Sequence, residues 1–284
     1  MQTFETNQPI ALSIEMSHGA VHIVATDRTD TVVAVNPSDP ERADDVEAAS
    51  KTLVDLTNGT LSIKQSKPGG IAAPVIGWNG RGAVAVTVEL PERSSLRADT
   101  GVADFRGDGR LGDVDVKTGV GGVRLDHTGA LRVRTGTGNV TVEEATGTAE
   151  IVVAGDLSVG AVAGAVDVKN LNGATWIGRA GGGVKVKSAN GDVTIDDAGS
   201  DVVARTANGS IRLGQVARGA VTIETAAGAL EIGIKEGTAA WIDAITKFGR
   251  LDNRLTPSES PAPSTETVQV RARTSFGDIT ITRS

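Results

Sequence analysis

The sequence contains no cysteine and no tyrosine, and aromatic residues make up only 2% of its 284 positions. Without cysteine there is no disulfide framework and no thiolate metal site. A thick globular core is normally built around large rings, so the shortage of aromatics points to a thin core of aliphatic side chains. No stretch of about 18 apolar residues is present, as a membrane-spanning helix would require. The opening MQTFETNQPI has no basic segment followed by an apolar run, so no signal peptide is read there and a cytoplasmic location is the expectation. The formal net charge of -7 opposes general attraction to nucleic acid or to anionic membrane.

What the chain does have is glycine, 36 residues of it, together with many Val, Ile, Leu and Ala. The glycines are spaced regularly. VKVKSANGDVTI (184–195) and VVARTANGSIRL (202–213) share one frame, V-x-[VA]-x-[ST]-x-N-G-x-[VI]-x-[IL]. Its turn position recurs at Ala103, Gly121, Gly138, Gly155, Gly173, Gly191, Gly209, Gly228, Gly249 and Gly277, in steps of 18, 17, 17, 18, 18, 18, 19, 21 and 28. Apolar residues keep register with it, among them Val193, Ile195, Ile211 and Leu213 after the turn and Val166, Val168, Val184 and Val186 before it. Alternation of period two on both sides of a glycine turn means two short half-buried strands per repeat. A repeat held near 18 residues fits stacked coils better than a sandwich of hairpins. The predicted fold is an all-β, single-stranded β-solenoid (β-helix) of about ten coils with an irregular N-terminal cap.

The cap spans 1–91 and the regular coils 92–284 of one domain. LSIEMSHGAVHI (12–23) carries the repeat frame around Gly19. A helix is expected after Ser38 or Asp39 as cap and Pro40 in the first turn, with Ala43, Val46, Ala49 and Leu53 on its apolar face. Asn58-Gly59 reads as a hairpin turn. A Gly- and Pro-rich loop at 67–82 and a Pro- and Ser-rich excursion at 256–267 interrupt the pattern. The last strand, DITITRS (278–284), is expected to be an open edge, guarded by Arg283 or by the excursion.

VTVELP (86–91), the repeated [ST]-x-x-G-[DNS]-[VI]-x-[IL] and the closing ARTSFGDITI (272–281) resemble a bacterial family called putative adhesins, the toastrack β-repeat domain. The resemblance covers nearly the whole chain. It implies a right-handed β-helix, a link to adhesion or to membrane-anchored envelope-stress systems, and no catalytic residues to carry over.

Several strings bear chemistry-capable residues. His18 and His22 flank Gly19, and His127 stands apart, so no zinc spacing results. Asp104, Asp108, Asp113 and Asp115 match neither an EF-hand nor a nonapeptide repeat and read as turn carboxylates. Arg106-Gly107-Asp108 reads as a chance tripeptide, and TGTGNV (135–140) as a solenoid turn without the third glycine of a dinucleotide loop. Asp156, Asp192 and Asp278 recur near turns in non-adjacent coils. No catalytic residue, metal or cofactor is expected.

Two columns remain. Asn172, Asn190 and Asn208, each before a turn glycine (Gly173, Gly191, Gly209), suit either a side-chain amide ladder or a tight turn. Four residues before the turn lie Lys117, Arg134, Lys169, Lys187 and Arg205, a basic stripe flanked by Asp115 and Asp167. The functional expectation is a non-catalytic protein-interaction or scaffold repeat protein, with another protein as partner, as a monomer or weak end-to-end dimer. Alternatives are a module gripping an anionic polymer or phospholipid through the stripe, and a β-helix enzyme acting on polysaccharide.

Overall fold

The computed structural model describes residues 1–65, 82–255 and 266–284. Most of the 67–82 loop and of the 256–267 excursion lies outside the described residues. These residues fall into two compact units, Met1–Asn139 and Val140–Ser284. Each is all-β apart from one short helix in the first, and each is made of parallel coils, as the glycine period requires.

The first unit runs β1 (Gln2–Glu5), β2 (Ala11–Thr26), β3 (Asp30–Pro37), α1 (Ala43–Ser50), β4 (Leu53–Thr57), β5 (Thr60–Lys64), β6 (Val84–Pro91), β7 (Ser95–Arg110), β8 (Val114–Val120), β9 (Val123–Thr128) and β10 (Leu131–Thr137). β2 bends through Gly19 and is itself a coil. It pairs in parallel with β7 on one side and with β5 and β6 on the other. Beyond β7 come β8 with β9, then β10. The outer coil made of β5 and β6 is covered by antiparallel strands, β4 on β5 and β3 on β6, with β1 on β3. Asn58 and Gly59 join β4 to β5 with φ of 51° and 75°, as a type I′ hairpin turn needs.

The helix departs from expectation. It begins after Arg42, which gives no side-chain cap, and Pro40 lies outside it. Asp39 Oδ1 instead accepts from the Glu41 N–H. Val46 and Leu53, expected to face inward, are exposed. The buried residue is Asp45, whose carboxylate accepts the backbone N–H groups of Asp39 at 3.1 Å and Ala83 at 3.0 Å. Two backbone bonds tie the helix down where an apolar stripe was expected.

The second unit runs β11 (Val140–Ala145), β12 (Ala149–Val153), β13 (Leu157–Val162), β14 (Val166–Asn172), β15 (Thr175–Ala180), β16 (Val184–Asn190), β17 (Val193–Ala198), β18 (Val202–Asn208), β19 (Ile211–Val216), β20 (Gly219–Ala227), β21 (Leu230–Ile234), β22 (Ala239–Phe248), β23 (Leu251–Asn253), β24 (Thr267–Phe276) and β25 (Ile279–Arg283). Val193 stacks on Ile211 and Ile195 on Leu213, and all four are buried at 1% exposure or less. At the turns a Cβ on Gly191 or Gly209 would lie 2.0 or 2.2 Å from the carbonyl oxygen of the coil before. The coil spacing therefore demands glycine there, at φ of 125° and 141°.

The coils do not stack in chain order at the end of this unit. β24 pairs with both β20 and β22, and β25 with both β21 and β23. The last coil in sequence is thus inserted beneath the one before it. This corrects the expectation that DITITRS forms the open edge: both edges of β25 are paired, and the outermost coil is β22–β23. Arg283 is no edge gatekeeper, because its guanidinium donates to the Lys235 and Thr238 carbonyls at 3.1 and 2.8 Å. The skipped place explains the steps of 21 and 28 in the glycine spacing, since the chain must climb two coil spacings and then return.

Candidate interaction surface

Each coil carries three kinds of position: inward apolar, turn, and outward. The turn positions are occupied by structure. Three residues before the turn glycine sits a buried or half-buried hydroxyl or amide that donates to the turn carbonyl of the adjacent coil. Examples are Asn170 to Gly155 at 3.1 Å, Thr225 to Gly209 at 2.9 Å, Thr274 to Gly228 at 3.1 Å and Thr246 to Gly277 at 2.9 Å. The last two follow the inserted order. Ser188 occupies the same place, and its buried Oγ has no partner.

The acidic residues just past the turns have a structural task that sequence reasoning missed. Asp104 accepts the Gly122 N–H, Asp156 that of Ala174, Asp192 that of Ser210 and Asp278 that of Arg250, at 2.7–2.9 Å. At the opposite turns Asp113 and Asp201 do the same for Ala130 and Ala220, both at 2.8 Å. A carboxylate one coil away from an unpaired amide is a charge-assisted cap. The signal was present, as Asp directly after the turn glycine in GDV and GDI.

The remaining candidates separate. His22 Nε2 lies 2.7 Å from Asp108, which also receives Arg106 Nε at 2.9 Å. The Arg106 hydrogen bond, with His22 adding to it against the effect of burial, holds the Asp108 carboxyl below its ordinary value. Arg106 and Asp108 of the tripeptide thus bind each other. Asp115 stands in register between Arg97 and Arg132. Among the described residues, no three His, Asp or Glu side chains gather to hold a metal. No helix of the described residues is long and apolar enough to cross a membrane.

The asparagines stack: Asn190 Nδ2 donates to Asn172 Oδ1 at 3.0 Å, and Asn208 Nδ2 to Asn190 Oδ1 at 2.9 Å. In the same column Phe276 and Phe248 stack with ring centroids 5.0 Å apart. Repeated register, the [ST]-x-x-G turn with its buried donor, and the closing inserted coil together describe the fold. The family model for Toastrack DUF4097 matches residues 10–282. The chain belongs to this toastrack family.

Solved structures similar to the toastrack chain include a putative adhesin from Parabacteroides merdae, at 12% identity over 100% of this chain and 95% of that one, TM-score 0.43. A putative adhesin from Bacteroides fragilis shows 11% identity over 99% and 95%, TM-score 0.37. A putative lipid binding protein from Parabacteroides distasonis shows 12% identity over 100% and 96%, TM-score 0.37. A comparison with curated proteins gives no match.

The basic stripe of the toastrack chain lies on outward positions of the first strand of each coil. In the first unit Lys117 stands opposite Arg134, and Lys117 Nζ is 3.3 Å from Asp99. In the second unit Lys169, Lys187 and Arg205 stack in register, all exposed. Arg205 is paired with Glu224 at 2.9 Å, and neighbouring Asp167 with Lys185 at 3.5 Å. Among the described residues no carboxylate lies within 4 Å of Lys169 or Lys187.

Proposed function

We propose that this toastrack protein is a non-catalytic interaction protein that binds an acidic partner protein along the outward face of β14, β16 and β18. The observation that supports the reading is the stack of Lys169, Lys187 and Arg205. Like charges directly opposite one another on a sheet are destabilising, so folding does not call for this row. A row of cations one strand spacing apart, about 4.8 Å, complements a row of carboxylates and steers its approach. The carboxylates near the turns, which a polysaccharide-cleaving site would need, are engaged with backbone amides. A cytoplasmic location is part of the proposal.

The test is the triple variant Lys169→Glu, Lys187→Glu, Arg205→Glu. Surface charges of this kind contribute about 1 kcal/mol or less each, so its melting temperature should change little. Partner proteins cross-linked to the intact chain in its own cell should be lost from the variant, and an unchanged set rejects the reading. A second reading, an anionic polymer or phospholipid headgroups, is favoured by the uncompensated pair Lys169–Lys187. It predicts salt-sensitive retention on heparin or on phosphatidylglycerol vesicles, absent from the triple variant.

A further inference from the structure

The outermost coil of the second unit departs from the pattern of every coil beneath it. β22 pairs with β24 along one side, and among the described residues its other side has no partner strand. Among the described residues this leaves ten residues of backbone edge without a partner, about 33 Å long, and such an edge is a template for another strand. The side chains change at the same place. β24 carries Gln269, Arg271 and Arg273 at outward positions, and the facing positions of β22 are Trp241, Asp243 and Ile245. Trp241 is 59% exposed, Ile245 50%, Phe248 65% and Leu251 50%. In a chain with so few aromatic residues, this coil holds an exposed indole and an exposed phenyl ring. An open edge bordered by exposed apolar side chains is what soluble proteins usually avoid by short, charged or covered edge strands.

The sequence of the edge identifies the occupant. We infer that β22 pairs antiparallel with β22 of a second copy of this chain, about a two-fold axis at Ile245. A two-fold interface uses the same patch twice, so each residue must suit its own mirror position. With Ile245 opposite itself, Asp243 falls opposite Lys247 of the copy, and Lys247 opposite Asp243. The paired segment runs from Ile242 to Phe248, where β22 ends, and Trp241 lies one residue beyond it. Ile242 falls opposite Phe248, and Ala244 opposite Thr246. Every charged side chain of the strand meets its opposite, and the apolar ones meet apolar or small residues. Asp243 already sits 3.4 Å from both Arg271 and Arg273, so Lys247 of the copy would extend an existing row of alternating charge. The pairing supplies backbone partners along 242–248 and covers the exposed Ile245 and Phe248 in one step. It uses neither the Lys169–Lys187–Arg205 face nor the partner proposed for it.

Sedimentation velocity between about 1 µM and 1 mM, the range of weak to moderate association, tests it. The intact protein should pass from monomer to dimer as concentration rises. Lys247→Glu, which leaves the Asp243–Arg271–Arg273 contacts untouched, places like charges opposite and should weaken dimerisation at least about tenfold. Asp243→Lys should do the same. An equimolar mixture of the two variants restores unlike charges at both positions and should dimerise as the intact protein does. Thermal melting checks that each variant is folded. A protein monomeric throughout the range overturns the inference. So does Lys247→Glu associating as strongly as the intact chain, or a mixture of folded variants that fails to recover.

Discussion

In the first unit the outermost coil, β5 with β6, lies under antiparallel β3 and β4, with β1 and α1 added. In the second unit the outermost coil, β22 with β23, is left with one edge unpaired among the described residues. Both are irregular in chain order. β5 and β6 follow β2 in sequence but lie outside it, away from β7, while β24 and β25 follow β22 and β23 but lie beneath them. A parallel coil stack accepts either order, because most rungs offer the same kind of tight turn, a polar side chain three residues before it and an inward apolar pair. The difference lies in how the edge is finished. Short strands of 4 and 5 residues end the first unit, whereas a 10-residue strand bearing Trp241 and Ile245 ends the second. Short edge strands resist pairing with other chains and long apolar ones invite it.

The sharpest way to break this comparison is to weigh an inserted coil against the outer one. Ile279 and Leu251 stand in register in the same inward column, but Ile279 is fully buried and Leu251 is 50% exposed. Ile279→Ala should cost about 2–4 kcal/mol, as cavity-forming core substitutions do, and Leu251→Ala less than about 1 kcal/mol. Equal losses in chemical denaturation would mean that β25 is not interior. Asp45→Ala attacks the covered end. It leaves two backbone N–H groups without their acceptor, at a cost of about 2–4 kcal/mol, and should raise amide exchange in α1 and β6 first. Protection unchanged in both elements would show that the carboxylate does not hold the cap.

Within the stack, Ser188→Thr should stabilise by about 0.5–1 kcal/mol. Threonine adds a β-branched methyl that restricts χ1, favouring the hydroxyl placement with which its neighbours Thr206 and Thr225 bond the adjacent turn. No gain in melting temperature would count against the hydroxyl column. The smallest effect concerns Asp108 in the first unit. Its folded pKa lies below the ordinary 3.8, so its contribution is present above that value and lost as pH falls through the lowered one. Asp108→Asn should therefore cost less than about 1 kcal/mol at pH 7, its side chain being partly exposed. The difference from the intact protein should disappear in strongly acidic solution, and a pH-independent difference would assign the loss to packing.

The sequence made the coil legible, and its neighbours only in part. Val193 and Ile211 announce their shared register because an 18-residue period aligns them, and the Asn172–Asn190–Asn208 column follows from the same alignment. Stacking order beyond Gly209 did not follow, since β22 and β24 carry nearly interchangeable frames. The only trace was the longer steps to Gly249 and Gly277. The helix cap was misjudged because reading for an apolar stripe passes over Asp45, whose burial is decided by two amides brought from elsewhere in the chain. The turn carboxylates were hidden for the same reason: Asp192 serves an amide 18 residues away. The Lys169–Lys187–Arg205 row was visible as spacing, but which of its charges carry a counter-charge became visible only in three dimensions.

The absence of cysteine provides the most direct test of the inserted coil. Glu224, Arg273 and Ile245 occupy consecutive outward rungs in space, with Arg273 in the middle. Cysteines on adjacent rungs fall within disulfide reach, and those two rungs apart, about 9.6 Å, do not. The double variant Glu224→Cys, Arg273→Cys should cross-link rapidly under mild oxidation, and Glu224→Cys, Ile245→Cys should stay reduced as monomer. If the second pair closes instead and the first does not, the coils stack in chain order, and the account of the open β22–β23 edge fails with it.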